Sequence, residues 1–319
     1  MTPFFVSALS IAAVLLYGCV GEIITEKAGH LNLGIPGIMC MGCAGGCFGV
    51  SLYMGGLSSP ADASWILLVL ISLLFSATFA AALGGVYALL TVTLRCNQNI
   101  TGLAITVFGT GATDFIMSFV DRTHFDPAGK LISSSLSFAD SLGDFGRVVF
   151  GHGVFVYLSI VAAIVCAIVL NKTRVGLHLR AVGESPATAD AAGINVILYK
   201  YVAILSGSVI AGFGGFYYIM DYIKGSWENA STIEALGWLS VALVIFTLWK
   251  PNLSILGSII FAALYVTAYY VNGNSTQKEI FKLIPYIMTV VVLIITSIKG
   301  SKNNQAPASL GLSYFREDR

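Results

Sequence analysis

Trp65-Ile-Leu-Leu-Val-Leu-Ile-Ser-Leu-Leu-Phe-Ser-Ala-Thr-Phe-Ala-Ala-Ala-Leu-Gly-Gly-Val-Tyr-Ala-Leu-Leu90 contains no charged side chain. A bilayer core takes about 20 apolar helical residues per crossing. This stretch exceeds that length, so it reads as a membrane helix that tilts or extends past the lipid. The rest of the 319-residue chain follows suit: 56% of its residues are apolar and 10% are charged. Soluble domains carry about 25% charged residues. A soluble enzyme or a nucleic-acid-binding module is thereby excluded, and the net charge of +1 gives no polyanion signal.

Working outward from 65–90, eight further apolar segments reach or approach spanning length. They are 3–20, 36–54, 99–120, 148–170, 197–220, 235–249, 253–271 and 283–298. The reading is an all-α, polytopic helical membrane protein with about nine crossings. Lys250-Pro251-Asn252 separates two of these segments, because proline ends a helix. Met1 to Val20 lacks a basic n-region, the first Lys or Arg being Lys27, so it reads as a retained span. The transmembrane unit is expected over 1–300. A polar tail over 301–319 is expected to be disordered beyond Asn304.

Lysine and arginine set the orientation. Placing 171–199 in the cytoplasm puts Lys27, Arg95, Lys172, Arg174, Arg180, Lys200, Lys250 and the tail's basic residues inside. It puts Arg122, Lys130, Arg147, Lys224, Lys278 and Lys282 outside. The excess is inside, so the N-terminus is expected outside and the C-terminus in the cytoplasm. An outer loop then spans about 121–147, and the longest cytoplasmic loop about 171–196.

Several segments tempt a chemical reading. Cys40, Cys43 and Cys47 resemble metal-ligand spacing, but they share one face of an apolar helix with Gly42, Gly46 and Gly49. That face suits close helix approach, so no metal is assigned. Leu205 to Gly215 is glycine-rich but lies inside a span, where close packing explains it better than nucleotide binding. The chain has no Gly-x4-Gly-Lys-[Ser/Thr] motif, since Gly129-Lys130 is followed by Leu131. It therefore has no P-loop of its own, and no catalytic constellation is assigned. Asp114 reads as the only carboxylate well inside a crossing, expected near the outer interface. That scarcity argues against a proton relay.

Gly21 to Gly37 is short, glycine-rich and flanked by two spans. It carries Glu22, Glu26, His30 and Asn32, and Pro36 opens the next helix. Irregular backbone at membrane depth survives where it is buried in protein or lines a cavity. Two readings stand: an ordinary turn, or an irregular link lining a pathway. On the second, Asn32 is a candidate ligand because it both donates and accepts. Gln98, Asn99 and Thr101, at the cytoplasmic start of the fourth span, and Gly212 in the sixth join it as pathway candidates.

In the cytoplasmic loop, Ser185 is a good N-cap with Pro186 at the first helical position. Ala187 to Ala192 can form a short helix that ends at Gly193. Small side chains on an exposed helix suit docking in another protein's groove.

This loop and the Glu22–Gly37 link resemble the permease subunits of bacterial ABC importers of the sugar, branched-chain amino acid and nucleoside branch. The likeness rests on Glu26-Lys-Ala-Gly29, Leu31-Asn-Leu-Gly34, Gly37-Ile-Met39 and Gln98-x3-Gly102-Leu-Ala. It continues in Arg180-Ala-Val-Gly183-Glu, Ala189-Asp-Ala-Ala-Gly193-Ile-Asn195, Ser206-Gly and Ala211-Gly. The chain looks most like nucleoside-type permeases served by basic-membrane-lipoprotein binding proteins. His30 and Pro36 stand where many such permeases have an aliphatic residue and a Glu. The resemblance implies a bacterial plasma-membrane protein with no cofactor of its own. It implies a cytoplasmic ATP-binding subunit docked through Arg180, Gly183, Glu184, Ser185, Ala187, Asp190, Ala191 and Gly193. A second permease chain, paralogue or self, and an extracytoplasmic substrate-binding lipoprotein complete the expected assembly. The cargo would be a nucleoside or related sugar-containing solute, with a simple sugar or branched-chain amino acid as the alternative. A stand-alone secondary transporter or channel is the rival of another class.

Overall fold

The structure is a computed structural model describing residues 2–134, 139–271, 274–299 and 305–315, and among these there is no strand. The chain begins with α1 (Thr2–Lys27) and returns as α2 (Ile35–Gly55). Helix α3 (Trp65–Ala88) runs on through a π turn at Leu89–Thr93, and α4 (Gln98–Phe119) follows. Two short helices, α5 (Phe125–Ile132) and α6 (Gly143–Phe150), occupy the expected outer loop. Next come α7 (Val154–Lys172), α8 (Arg174–Glu184), α9 (Pro186–Ala191) and α10 (Val196–Tyr217), the last extended by a π turn at Tyr218–Tyr222. The chain closes with α11 (Ser231–Phe246), α12 (Pro251–Tyr270), α13 (Ser275–Lys282) and α14 (Ile284–Lys299).

Seven helices among the described residues are long and apolar enough to cross a bilayer: α1, α2, α3 and α4, then α7, α10 and α12. The other two expected spans are helical as well, but α11 and α14 are 16 residues each. The protein is a polytopic helical membrane protein. Local chemistry explains the helix starts. Asn97 accepts from the Ile100 N–H at 3.1 Å to open α4, and Asn195 accepts from the Leu198 N–H at 3.0 Å to open α10. Pro36 and Pro251 sit in first turns, where a missing N–H costs nothing.

The first two helices form the centre. Helix α1 packs on α7, α10, α11 and α12, while α2 packs on α3, α4, α10 and α11. Two buried tyrosines fasten this centre. The Tyr17 hydroxyl donates to the Phe155 carbonyl at 2.8 Å, and the Tyr217 hydroxyl donates to the Ser10 carbonyl at 3.0 Å. Where α2 crosses α10, Gly42 and Gly212 meet backbone to backbone. Gaining apolar contact gives little drive inside lipid, so close approach of small residues supplies the packing. The outer faces of α3, α4 and α7 expose Leu70, Leu74, Phe108, Phe119, Val161 and Ile168, as helices in contact with lipid do.

Four expectations are corrected here. Helix α1 continues to Lys27, so Glu22 and Glu26 are helical and only 28–34 is irregular. No strong breaker follows Gly21, and Glu22-Ile-Ile-Thr-Glu26 simply carries the helix on. The 148–170 segment is interrupted at Gly151–Gly153, and α7 starts at Val154. The loop after α7 holds a second helix, α8, capped by Thr173, whose hydroxyl accepts from the Gly176 N–H at 3.1 Å. Finally, residues 305–315 are packed against the protein rather than disordered. Pro307 and Ser309 are buried, and the Ser309 hydroxyl donates to the Gly183 carbonyl at 2.5 Å.

Candidate functional site

The irregular link 28–34 is buried, so its backbone groups need partners inside the protein. The surrounding helices supply them. The Asn32 N–H donates to Glu22 Oε1 at 2.9 Å, and the Leu31 N–H donates to Gln98 Oε1 at 2.9 Å. The Leu31 carbonyl accepts from the Tyr87 hydroxyl at 2.7 Å, and the Leu33 carbonyl accepts from the Thr106 hydroxyl at 2.7 Å. Side chains from α1, α3 and α4 thus hold one short link.

Helix α8 presses on this link. The Cα face of Gly183, at the end of α8, lies against the Lys27 carbonyl, 3.2 Å from the Gly29 nitrogen as measured from where a Cβ would sit. Gly29 has φ +82° and faces Ser309 and Gly183. Its left-handed backbone ends α1 at little steric cost. The tail fills the remaining gap. The Ala308 N–H donates to Glu184 Oε2 at 3.3 Å, Gln98 Nε2 donates to the Leu312 carbonyl at 3.3 Å, and the Tyr314 hydroxyl donates to Asp190 Oδ2 at 2.9 Å. The Arg95 guanidinium stacks 4.7 Å over the Phe315 ring.

Helix α9 projects from this platform. The Ser185 hydroxyl accepts from the Thr188 N–H at 3.4 Å, and Gly193 follows the helix with φ +83°. Ala189 is buried against Val182 and Val196, whereas Thr188, Ala191 and Gly193 are exposed. Glu184 is exposed as well, while Arg180, Ser185, Ala187 and Asp190 are half-buried. The short helix therefore has one anchored face and one small, open face.

The pathway candidates part company. Asn32 is fully buried. Its Oδ1 accepts from the Gly34 N–H at 3.0 Å, and its Nδ2 has no partner among the described residues. Gln98 is a clamp between the link and the tail, so both ends of its amide are used in structure. Thr101 is buried beside it, and Asn99 faces outward. Gly212 is a correction: a Cβ there would lie 2.5 Å from Ala80 Cβ and 3.3 Å from Gly42 Cα. It packs at a three-helix crossing.

The sequence reading also missed buried carboxylates. Glu22, Glu26 and Asp221 are all buried in helices long enough to span, so Asp114 is not alone and the scarcity argument fails. Asp114 itself is exposed on α4, where Oδ1 accepts from the Ala230 N–H at 2.9 Å at the start of α11. Glu26 accepts from the Trp249 indole N–H. Trp249 and Leu248 have φ +55° and +56°, a backbone state that costs non-glycine residues about 1–3 kcal/mol each. That turn aims the indole at the end of α1. A positive φ at Trp249 has no sequence signal. The Glu22/Glu26 spacing of one helical turn did carry one, had α1 been extended past Val20.

The three cysteines of α2 are buried, with Cys43 Sγ and Cys47 Sγ 3.8 Å apart, and Gly46 between them packs on the Phe216 ring. No group of three metal-ligating side chains occurs among the described residues. Two buried histidines outside the spans have shifted acidities. Burial, helped by the charge of Lys200, holds His30 down at about 3. Burial also lowers His152, although its ring pairs with the Val148 carbonyl at 2.8 Å.

The site is a multi-helix membrane core carrying a short loop helix with one anchored face and one open face. Residues 4–293 match the family described as "Branched-chain amino acid transport system / permease component", and the chain belongs to that ABC permease family. It is similar to "Nucleoside ABC transporter permease protein NupC" of Lactococcus lactis subsp. cremoris, 30% identical over 95% of this chain and 93% of that one. It is similar to "Putative glucose ABC transporter permease protein TsgC13" of Haloferax volcanii, 30% identical over 96% and 95%. "Guanosine ABC transporter permease protein NupQ" of Bacillus subtilis is 27% identical over 98% and 96%. Membership of an ABC permease family implies an ATPase partner.

Proposed function

We propose that the chain is one half of the membrane pathway of an ATP-driven importer for nucleosides or a related sugar-containing solute, in a bacterial plasma membrane. The ATPase docks on the exposed face of α9, around Ala187, Ala191 and Gly193. A second permease chain completes the pathway, and an extracytoplasmic lipoprotein delivers the solute to the outer end. The carrying observation is the contact between Gly183 and the link after α1. ATP binding draws the partner subunits together, α8 and α9 move as a unit, and Gly183 passes that motion to 28–34 and thus to α1 and α2. A ligand can shift such an equilibrium only through its differential affinity for the two states, which here ATP provides. Names of relatives support the cargo: two are nucleoside or guanosine permeases.

The glucose-permease relative favours a second reading, a sugar importer with the same coupling. A thermal-shift screen of the partner binding protein against nucleosides, sugars and amino acids separates the two. The coupling reading is tested by Ala191→Arg. It is expected to abolish substrate-stimulated ATPase activity of the assembled transporter, and unchanged activity and assembly would refute the docking face.

A further inference from the structure

A cavity of about 510 Å³ opens beneath the coupling loop, between the π turn that ends α3, the first turns of α10 and the tail. His30, Thr91, Arg95, Asn195, Lys200 and Tyr314 are on its walls. Two of these side chains are buried without a hydrogen-bond partner of good geometry among the described residues. Lys200 is 2% exposed and its Nζ makes no hydrogen bond among the described residues. His30 is 1% exposed, and among the described residues neither ring nitrogen has a hydrogen bond of good geometry. Burying an ammonium is unfavourable unless an opposite charge or several acceptors meet it. Asp190, the one acidic wall residue among the described residues, already receives the Tyr314 hydroxyl.

Lys200 brings a buried positive charge to the wall, and the N-terminus of the 22-residue α10 adds its dipole. His30 is neutral at physiological pH, so it offers one N–H donor and no competing charge. Asn195 spends Oδ1 on the Leu198 N–H, which leaves its amide nitrogen as a donor. These donors come from two elements, the α1–α2 link and the start of α10. A planar carboxylate presents oxygens in one plane, whereas a tetrahedral phosphate presents them on every side.

We propose that this cavity binds a phosphate-bearing anion, with Lys200 as its ionic contact and His30 and Asn195 as neutral donors. Soluble phosphates reach it from the coupling-loop side. A phospholipid headgroup reaches it past Leu94 and Ile197, which are exposed beside it. The site does not depend on whether α9 docks an ATPase.

The test uses the full chain in nanodiscs. In purely zwitterionic lipid, saturable binding of radiolabelled orthophosphate and of a nucleoside 5′-monophosphate is measured, with the plain nucleoside as control. A second arm reads retention of phosphatidic acid through purification by mass spectrometry. Lys200→Met is expected to weaken whichever phosphate binds by about tenfold or more, the loss typical of a charged hydrogen bond. Lys200→Arg is expected to restore it. Saturable orthophosphate binding identifies a soluble source, and selective phosphatidic acid retention identifies the lipid. No phosphate binding in either arm, or binding that Lys200→Met leaves unchanged, overturns the proposal. If Lys200→Met fails to fold, His30→Leu is read instead. The phosphate-dependent rise in melting temperature should shrink in that variant, and an undiminished rise counts against the site.

Discussion

Gly183 lies with its Cα face on the carbonyl of Lys27, so the end of α8 and the end of α1 touch through backbone alone. A methyl group there would meet that oxygen, the Lys27 carbon at 3.0 Å and the Gly29 nitrogen at 3.2 Å. None of these is the free end of a flexible side chain. Gly183→Ala is therefore expected to wedge the two helices apart, at about 1–3 kcal/mol. Melting temperature should fall modestly. Substrate-stimulated ATPase activity of the assembled transporter should fall more than basal ATPase activity does. Equal losses would mean that Gly183 supports folding and transmits nothing.

The tail makes the second prediction. Ser309 bonds Gly183 with both its N–H, at 3.1 Å, and its hydroxyl, while Leu312 and Tyr314 tie to Gln98 and Asp190. These contacts tie α8 and α9 to the link and to the start of α4. Truncation after residue 304 should leave a folded, membrane-inserted chain that transports at a fraction of the full rate. Transport in vesicles, normalised to inserted protein, checks this. Full activity after truncation would reduce the tail to a passive filler.

How much of this was legible in the sequence follows physical lines. The apolar segments were readable because lipid imposes length and charge limits on any helix that meets it. The α9 helix was readable because Ser185, Pro186 and Gly193 are local signals whose effect ends within a turn. The tail was not. Its stretch from Gln305 to Phe315 has little apolar patterning, and what holds it are hydrogen bonds to residues more than a hundred positions away. Glu22 and Glu26 were misplaced for a related reason. Carboxylates look like loop residues until a tryptophan from α11–α12 and a backbone N–H from the link are seen to receive them. Gly212 packs closely at a crossing, and a glycine that lines a pathway and one that packs a crossing look the same in a sequence.

Glu22 and Asn32 give the third prediction. Glu22 Oε1 is the acceptor for the Asn32 N–H at 2.9 Å, and both residues are fully buried. Glu22→Ala strands that N–H in protein, at about 1–3 kcal/mol. Glu22→Gln keeps an acceptor oxygen and should cost clearly less. Melting temperatures of the two variants in the same detergent decide it. If Ala and Gln behave alike, the bond to Asn32 does not hold the link.

The last prediction concerns acid. His30 titrates near 6.5 when unfolded but is held at about 3 in the folded protein, first by burial and second by the charge of Lys200. A base whose folded value is depressed binds fewer protons when folded, so acid favours the unfolded chain. Its neutral form stabilises the fold fully above about 6.5, and that contribution drains away as pH falls toward 3. The wild-type melting temperature should therefore drop on going from neutral pH to mildly acidic pH. His30→Leu removes the proton acceptor and fills the same space with an apolar side chain, so its melting temperature should drop less over the same interval. Parallel drops in the two proteins would place the acid sensitivity elsewhere, with His152, which burial also holds below its usual value, the next group to replace.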